Sequence, residues 1–587
     1  MKRTAKCLAL LLAVMMLVTL VACSTSPDGS TPPVDGSTPP TDGSTAPDAT
    51  PTPGEPTTGA VMEPFAPYEE TVTISVARHL NLGGQLAPNE TTSDNVFIDV
   101  IKDKLNVQVV VDWETSPDAY KQKLALGIAS RDLPDVFGLE RSEYLTFQSL
   151  VAGGVLADLT DAYNNCIGGI DAEYLKAFDG SQNTAATFDG RLMGIPALPG
   201  GYSYNVLWIR GDWLTKLGLP MPKTVDDIKT VALAFKENKL GGENTTGIVV
   251  DPKLVYGNSG SFLSFSTVAN SQGAYPGSWI YDANGGAVYG SVQPEMKDAL
   301  AVALDWYQSG VMDPQFMTYQ NMDAVTPALR DGTCGMFFGA YWAPWTMADS
   351  RKADPEMEWV AALAPLDNNG NFNHIASTDA EGWLVVNKAC ENPEAVVKAL
   401  NVVGELTRGV YNDDPKFADA ITASKAIGSF GRTLNPFAGC GNLLSAMFDH
   451  EPQMGVSLKN YIETGTLEMF PGASDDDWLN AKKGYDWFMG DQDRNNTEGY
   501  SFYTSFKAIA DMYLFEKNHD ELVAYAYTSE SMGDYWTALY SLEEEMITQI
   551  ISGQKPLSYF DEFVSTWKNS GGDIITGEIN EIISNLK

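Results

Sequence analysis

Four histidines are the whole imidazole supply of this 587-residue chain: His79, His374, His450 and His519. They form no H-E-x-x-H helix, and the chain has neither a G-x-S-x-G nucleophile elbow nor a Walker phosphate loop. Histidine metal chemistry or a catalytic dyad therefore has little material. Carboxylates are abundant, 76 in all, and two of them facing one another across a cleft would suffice for glycoside hydrolysis. In so acidic a chain such neighbours also arise by chance, and solvated surface is the default reading. Asp367-Asn-Asn-Gly-Asn and Asp491-Gln-Asp-Arg-Asn-Asn have a superficial likeness to calcium loops, but the glycine and closing glutamate of an EF-hand are misplaced in both. They read as turns. No cofactor is expected, with structural calcium as the alternative at these loops. What the chain does have in quantity is aromatic surface, 13 Trp and 25 Tyr.

The elements that must position such groups start after a leader. Lys2, Arg3 and Lys6 precede an apolar run from Cys7 to Ala22, too short and wrongly flanked for a membrane span, so residues 1–22 read as a signal peptide. Its end, Leu20-Val21-Ala22-Cys23, resembles the lipobox of bacterial lipoproteins, which implies cleavage before Cys23 and acylation of its sulfur. From Ser24 to about Ala60 the motif Asp-Gly-Ser-Thr-Pro-Pro repeats with small changes and no bulky apolar residue beyond Val34. Such a segment cannot bury enough surface to fold, and its prolines make it an extended tether of about 3 Å per residue. The formal charge of −38, more negative still without the leader, argues against nucleic acid and against direct contact with anionic lipid heads. Cys166, Cys334, Cys390 and Cys440 show no C-x-x-C pairing, so neither a zinc site nor a disulfide framework is indicated. Either one or two disulfides or buried free thiols are open in an exported protein.

The folded part opens with an alternating strand, Val72–Val76. A helix follows from about Asp94, then a strand Val107–Val111, then a helix through Tyr120, Leu124 and Ile128. Strand, helix, strand, helix is the pattern of a parallel α/β sheet. Further on, Leu207-Trp208-Ile209 reads as a buried strand and Asp212–Leu217 as a helix stopped by Gly218. Thr224 and Asp227 can cap the next helix, whose apolar face holds Val225, Ile228, Val231, Ala232 and Phe235. Met296, Ala299, Leu300, Ala303 and Leu304 form another helical stripe closed by Gly310. Trp536, Leu539, Tyr540, Met546, Ile547 and Ile550 form a last long one ending at Gly553.

Several of these stretches carry a resemblance. Gly194-Ile195-Pro196 with Leu207–Arg210, Asp212-Trp213-Leu214 and Lys216–Leu219 is similar to the signature of bacterial extracellular solute-binding proteins of ABC importers. The likeness is to family 1 and its large oligosaccharide-type lipoproteins. Ala129–Phe137 (ASRDLPDVF, with Arg131 where the family has glycine), Gly153–Thr160, Leu329–Trp345, Gly382–Asn401 and Tyr559–Ile583 resemble further family segments in the same order. The resemblance implies an α/β, two-lobe Venus flytrap fold, each lobe a mostly parallel sheet flanked by helices, with extra C-terminal helices. The expected organisation is residues 1–22 leader, 23–66 lipid-anchored linker, 67–200 first lobe, 201–338 second lobe, 339–425 return to the first lobe, and 426–587 helical remainder of the second. The lobes would join near Pro196–Tyr204, near Gly339–Trp345 and between about residues 410 and 445.

The same resemblance implies a carbohydrate ligand, an oligosaccharide, captured between the lobes without chemistry and passed to an ABC permease. It implies a monomer tethered by Cys23 to the outer face of the cytoplasmic membrane. An aromatic plane matches the C–H face of a sugar, and carboxylates, amides or arginine match its hydroxyls. On that basis the expected contacts are Trp342, Trp345 and Tyr341 in the return loop, and Tyr202 and Tyr204 in the first crossing. To these are added Trp383, where rim and core are equally open, Asp379 and Glu381 just before it as hydroxyl acceptors or turn caps, and Arg78 and Glu140 at strand ends as contacts or plain surface charges. Trp208 and Trp213 are expected in the core, and Trp536, Phe563 and Trp567 in packing of the terminal helices. The alternatives are a peptide or other solute bound by the same fold and, from another class, a surface glycoside hydrolase.

Overall fold

Local capping signals set where helices begin and end. Asn95 opens the helix Val96–Leu105 by accepting from the backbone N–H of Phe97 at 3.0 Å and of Ile98 at 3.4 Å. Helices Gly211–Leu217 and Val225–Glu237 form as the sequence suggests. Gly218 ends the first at φ 66°, in the left-handed region that glycine enters without a Cβ clash. Thr224 and Asp227 make a full capping box: Asp227 N donates to Thr224 Oγ1 at 3.2 Å, and Thr224 N donates to Asp227 Oδ2 at 3.0 Å. Arg131 also takes a left-handed conformation, φ 57°, after the helix Pro117–Ser130. Left-handed backbone costs a non-glycine residue about 1–2 kcal/mol, a physical reason for glycine at that place.

This computed structural model describes residues 61–79, 86–175, 180–198, 205–251, 254, 263–318, 326–376, 380–427, 433–438, 450–470, 473 and 475–586. The first sheet has the strand order Val107–Thr115, Val72–His79, Val136–Glu140, Gly382–Val386, Ile195–Ala197. Its first three strands are parallel, and Gly382–Val386 runs against both neighbours. The second sheet has the order Trp359–Ala362, Asn205–Arg210, Cys334–Ala340, Thr246–Val249, with Asn205–Arg210 against both neighbours. In each sheet the reversed strand is the one that enters from elsewhere in the chain. The result is a two-lobe α/β fold. Trp208 and Trp213 are buried in the second lobe, as expected.

A third sheet was not foreseen. Ala287–Tyr289, Trp279–Tyr281, Asn518–Tyr525 and Phe372–Ala376 lie side by side in that order. The terminal helices Met532–Ile551, Tyr559–Trp567 and Asp573–Leu586 pack beside it. Asn580 fastens the last helix to the sheet, accepting from Ala287 N at 2.8 Å and donating to Ala287 O at 2.9 Å. Gly571, φ 120°, turns the chain between the last two helices under the Tyr535 ring, where a Cβ would fall 2.5 Å from the ring.

The path between lobes differs from the expected one. The sequence places residues 339–425 in the first lobe, but Trp359–Ala362 pairs along Asn205–Arg210, with Trp359 opposite Arg210 and Ala362 opposite Leu207. The chain stays in the second sheet through Ala362, joins the third at Phe372–Ala376, and re-enters the first only at Gly382. An apolar run such as Trp359-Val-Ala-Ala shows that it is a strand; its partner is set by tertiary packing. Residues 433–438 still pack on the first sheet, since Arg78 donates to the carbonyls of Thr433 at 3.3 Å and Asn435 at 2.8 Å. From His450 onward, helices His450–Thr464, Asp475–Met489 and Thr497–Tyr513 cluster on Pro344–Ala353 of the second lobe. Residues 439–449, where the expected third crossing in part falls, lie outside the described residues.

Cys166, Cys334 and Cys390 are buried free thiols, and Cys440 lies outside the described residues. So do the leader, Cys23 and the linker up to Ala60. Among the described residues no helix is long and apolar enough to cross a membrane.

Candidate functional site

Strand ends from the first lobe face the third sheet across a cavity of 880 Å³. The volume lies within the range of small-molecule sites. From the first lobe come Glu140, Arg141, Ser142, Leu145 and Glu381; from the other wall come Ser278, Trp279, Tyr525, Tyr527, Ser529, Trp536 and Thr537, among others. On the aromatic wall Trp536 is half-exposed while Trp279, Tyr525 and Tyr527 are largely buried, and carboxylates and a guanidinium lie opposite.

The first-lobe wall is built by backbone pairing. Glu140 ends its strand opposite Gly382, and Arg141 N donates to Glu381 O at 2.9 Å. Glu381 N donates in turn to Ala197 O at 2.9 Å, and Arg141 Nε donates to Ala380 O at 2.9 Å. Glu140 is the first half of a capping box with Glu143, whose own carboxyl is raised above the usual range by burial. Lys121 Nζ donates to Glu140 Oε2 at 2.6 Å with both side chains close to half exposed, a pair worth under about 1 kcal/mol. The wall is therefore close to neutral, two carboxylates against Lys121 and Arg141.

The opposite wall rests on aromatic packing. Tyr527 reaches across to the first lobe, its ring centroid 4.8 Å from Tyr144 and 5.4 Å from Trp383. Tyr525 Oη donates to Thr528 O at 3.0 Å and shapes the turn that leads to Met532–Ile551. Met532, Gly533, Trp536 and Thr537 then present one face of that helix to the cavity.

Of the residues expected as contacts, Glu140 and Glu381 lie together in this cavity. Trp342 and Trp345 are exposed beyond the end of Cys334–Ala340, where Ala340 pairs with Asn205; Trp342 lies in the turn and Trp345 in the first turn of the helix Pro344–Ala353. They do not line the cavity; Trp345 sits edge-on to Phe502 at 4.9 Å. Tyr341 beside them is half-buried, and its phenol is held well above its ordinary range by burial and then by Glu451. For Trp383 the core alternative holds, and the contact expected at Arg78 is corrected. Trp383 is fully buried, its ring packed on Tyr144, Phe147 and Tyr527, because both faces of Gly382–Val386 are covered. Arg78 is also fully buried. Its guanidinium is held by Glu114 at 3.1 Å, by the Thr92 carbonyl at 2.5 Å and by the carbonyls of Thr433 and Asn435. Tyr202, Tyr204 and Asp379 lie outside the described residues.

Sequence reasoning missed Arg141, Trp279, Tyr525 and Tyr527 as cavity-lining residues; Trp536 packs on Tyr289 at 5.3 Å, as expected, and borders the cavity as well. A signal for Trp536 was present: Met532, Gly533, Trp536 and Thr537 share a helix face with few aliphatic residues. The calcium-like loop at Asp367 closes on itself. Its Oδ1 accepts from Asn369 N and Asn371 N, each at 2.8 Å, and its Oδ2 accepts from Asn371 Nδ2 at 3.0 Å. Among the described residues no cluster of three or more His, Cys, Asp or Glu is placed to hold a metal ion.

The family model described as bacterial extracellular solute-binding protein matches residues 87–405. The chain belongs to that family. Among similar solute-binding proteins, the fructooligosaccharide ABC transporter substrate-binding protein FusA of Streptococcus pneumoniae is 22% identical over 326 residues. That match covers 53% of this chain and 58% of FusA, so the chain spans little more than half of that relative. Lipoprotein LipO of Bacillus subtilis is 21% identical over 520 residues, 86% of this chain and 91% of LipO. In three dimensions this solute-binding protein is similar to an S. pneumoniae FusA EF-hand mutant in complex with fructo-nystose. The TM-score is 0.56 at 14% identity, over 87% of this chain and 99% of the other, a likeness of fold.

Proposed function

We propose that this solute-binding protein captures an oligosaccharide in the cavity between its lobes and hands it to an ABC importer permease, with no reaction of its own. The observation that carries the reading is the 880 Å³ cavity with Trp279, Trp536, Tyr525 and Tyr527 on one wall and Glu140, Arg141 and Glu381 on the other. Aromatic planes suit the C–H faces of sugar rings, and the charged groups suit their hydroxyls. FusA, by its name, binds fructooligosaccharides as part of an ABC transporter. Tyr341, Trp342 and Trp345 form an outer contact beyond the end of Cys334–Ala340 for a ligand longer than the cavity. The protein works as a monomer on the outer face of the cytoplasmic membrane, held by acylated Cys23 and a linker that ends before Val61, since Val61, Pro64 and Ala66 accept from Lys398 and Asn401 of the first lobe.

The test is a thermal-shift screen of the mature chain against fructo-, malto-, xylo- and galacturono-oligosaccharides, with tri- and tetrapeptides as the contrast. A ligand at a hundred times its Kd stabilises the folded state by about 2.7 kcal/mol, so a matching oligosaccharide is expected to raise the melting temperature by a few degrees. A peptide that raises it when no sugar does would overturn the carbohydrate reading. Release of reducing sugar during the same incubation would overturn the reading that no reaction occurs.

A further inference from the structure

The aromatic wall of the cavity is backed by a buried carboxylate. Trp279 and Trp536 have ring centroids 6.2 Å apart and planes inclined by 31°. Behind them Tyr289 lies 5.0 Å from Trp279 and 5.3 Å from Trp536, and stacks on Trp567 at 5.0 Å with planes 7° apart. Tyr289 and Trp567 are buried, Trp279 nearly so, and Trp536 only half, its free side towards the cavity.

The hydroxyl of Tyr289 donates to Glu543 Oε2 at 2.9 Å, and Glu543 is 0% exposed. Glu543 stands seven residues after Trp536 on the helix Met532–Ile551, and two turns apart is the same helix face. One helix therefore supplies both an indole of the cavity wall and the acceptor that fixes the ring behind it. Burial, and next the charge of Glu543, push the Tyr289 phenol far above its ordinary range. An apolar side chain would fill this space without the cost of a buried carboxylate. What the carboxylate adds is direction.

We propose that the half-exposed indole of Trp536 is the surface on which a sugar ring of the ligand stacks, and that Trp279, Tyr289 and Glu543 are positioning residues that hold it in place. This rests on the oligosaccharide reading above. Thr537 and Ser278, next in sequence to the two indoles, with Arg141 and Glu381 opposite, supply hydrogen-bonding groups for the ring's hydroxyls.

The experiment measures the dissociation constant, by calorimetry on the full mature chain, of each panel oligosaccharide that the unaltered protein binds, with melting temperatures in parallel. Trp536→Leu keeps apolar volume without a ring, and Trp536→Phe keeps a smaller ring. Trp536→Leu is expected to weaken binding about tenfold or more, with Trp536→Phe between it and the unaltered protein. Tyr289→Phe removes the donor and is expected to weaken binding about threefold to tenfold. Glu543→Gln retains an oxygen acceptor for Tyr289 and is expected to stay within about threefold. A purely structural role would instead lower melting temperatures and leave the affinities of the folded variants equal. Equal affinity of Trp536→Leu and the unaltered protein for a sugar that binds would overturn the stacking proposal and leave the oligosaccharide reading standing. No binding of any panel sugar by the unaltered protein would overturn both.

Discussion

Replacing Arg78 with methionine is expected to lower folding stability by about 3–5 kcal/mol, the usual loss when one partner of a buried ion pair is removed. Arg78 sits at the end of the strand Val72–His79 with no exposure, and its guanidinium joins four separate stretches of chain. It donates to Glu114 on the neighbouring strand, to the Thr92 carbonyl ahead of the helix Val96–Leu105, and to the carbonyls of Thr433 and Asn435. Methionine keeps much of the volume but leaves those carbonyls without their donor. It also leaves Glu114, which accepts from Thr92 Oγ1 at 2.7 Å, without its counter-charge. Denaturant unfolding of the full chain reads the effect as a lower midpoint. A loss below about 1 kcal/mol, the range of an exposed ion pair, would show that Arg78 is a surface charge after all and return it to the ligand question.

Trp383→Ala is the second large effect, with an expected loss of about 3–5 kcal/mol from the cavity it leaves. The indole is enclosed by Tyr144 at 5.3 Å, Phe147 at 4.9 Å and Tyr527 at 5.4 Å between ring centroids. It also packs over Gly194, where an added Cβ would come within 3.2 Å of the Trp383 Cβ. A ligand contact and a core residue make opposite predictions here. If Trp383 were a contact, the variant would keep its melting temperature and lose affinity for sugar. The core position predicts that melting falls first. Paired unfolding and titration measurements on one preparation separate the two.

Much of the fold is written locally and was legible. Gly218, the Thr224–Asp227 capping box, the helix Glu295–Gln308 before Gly310 and the buried Trp208 all depend on neighbours within a few residues or on simple periodicity. Long-range pairing was the obscure part. Trp359–Ala362 reads as a strand, but only its register along Asn205–Arg210 keeps it in the second sheet. The third sheet joins Trp279–Tyr281, Phe372–Ala376 and Asn518–Tyr525 from distant parts of the chain, so the wall bearing Trp279 and Tyr525 could not be assembled from any one stretch. Glu140 and Glu381 were legible because strand ends point towards a cleft in such folds. Arg78 and Trp383 meet the same positional rule yet turn inward, since burial depends on what covers a strand end.

The central claim is that one oligosaccharide bridges both walls of the cavity and so favours a closed form over an open one. Small-angle X-ray scattering of the mature chain, with and without the panel sugar that gives the largest thermal shift, tests it most directly. A smaller radius of gyration is expected at saturating sugar, and no change with a sugar that gives no thermal shift. A sugar that binds tightly while the radius of gyration stays the same would contradict it.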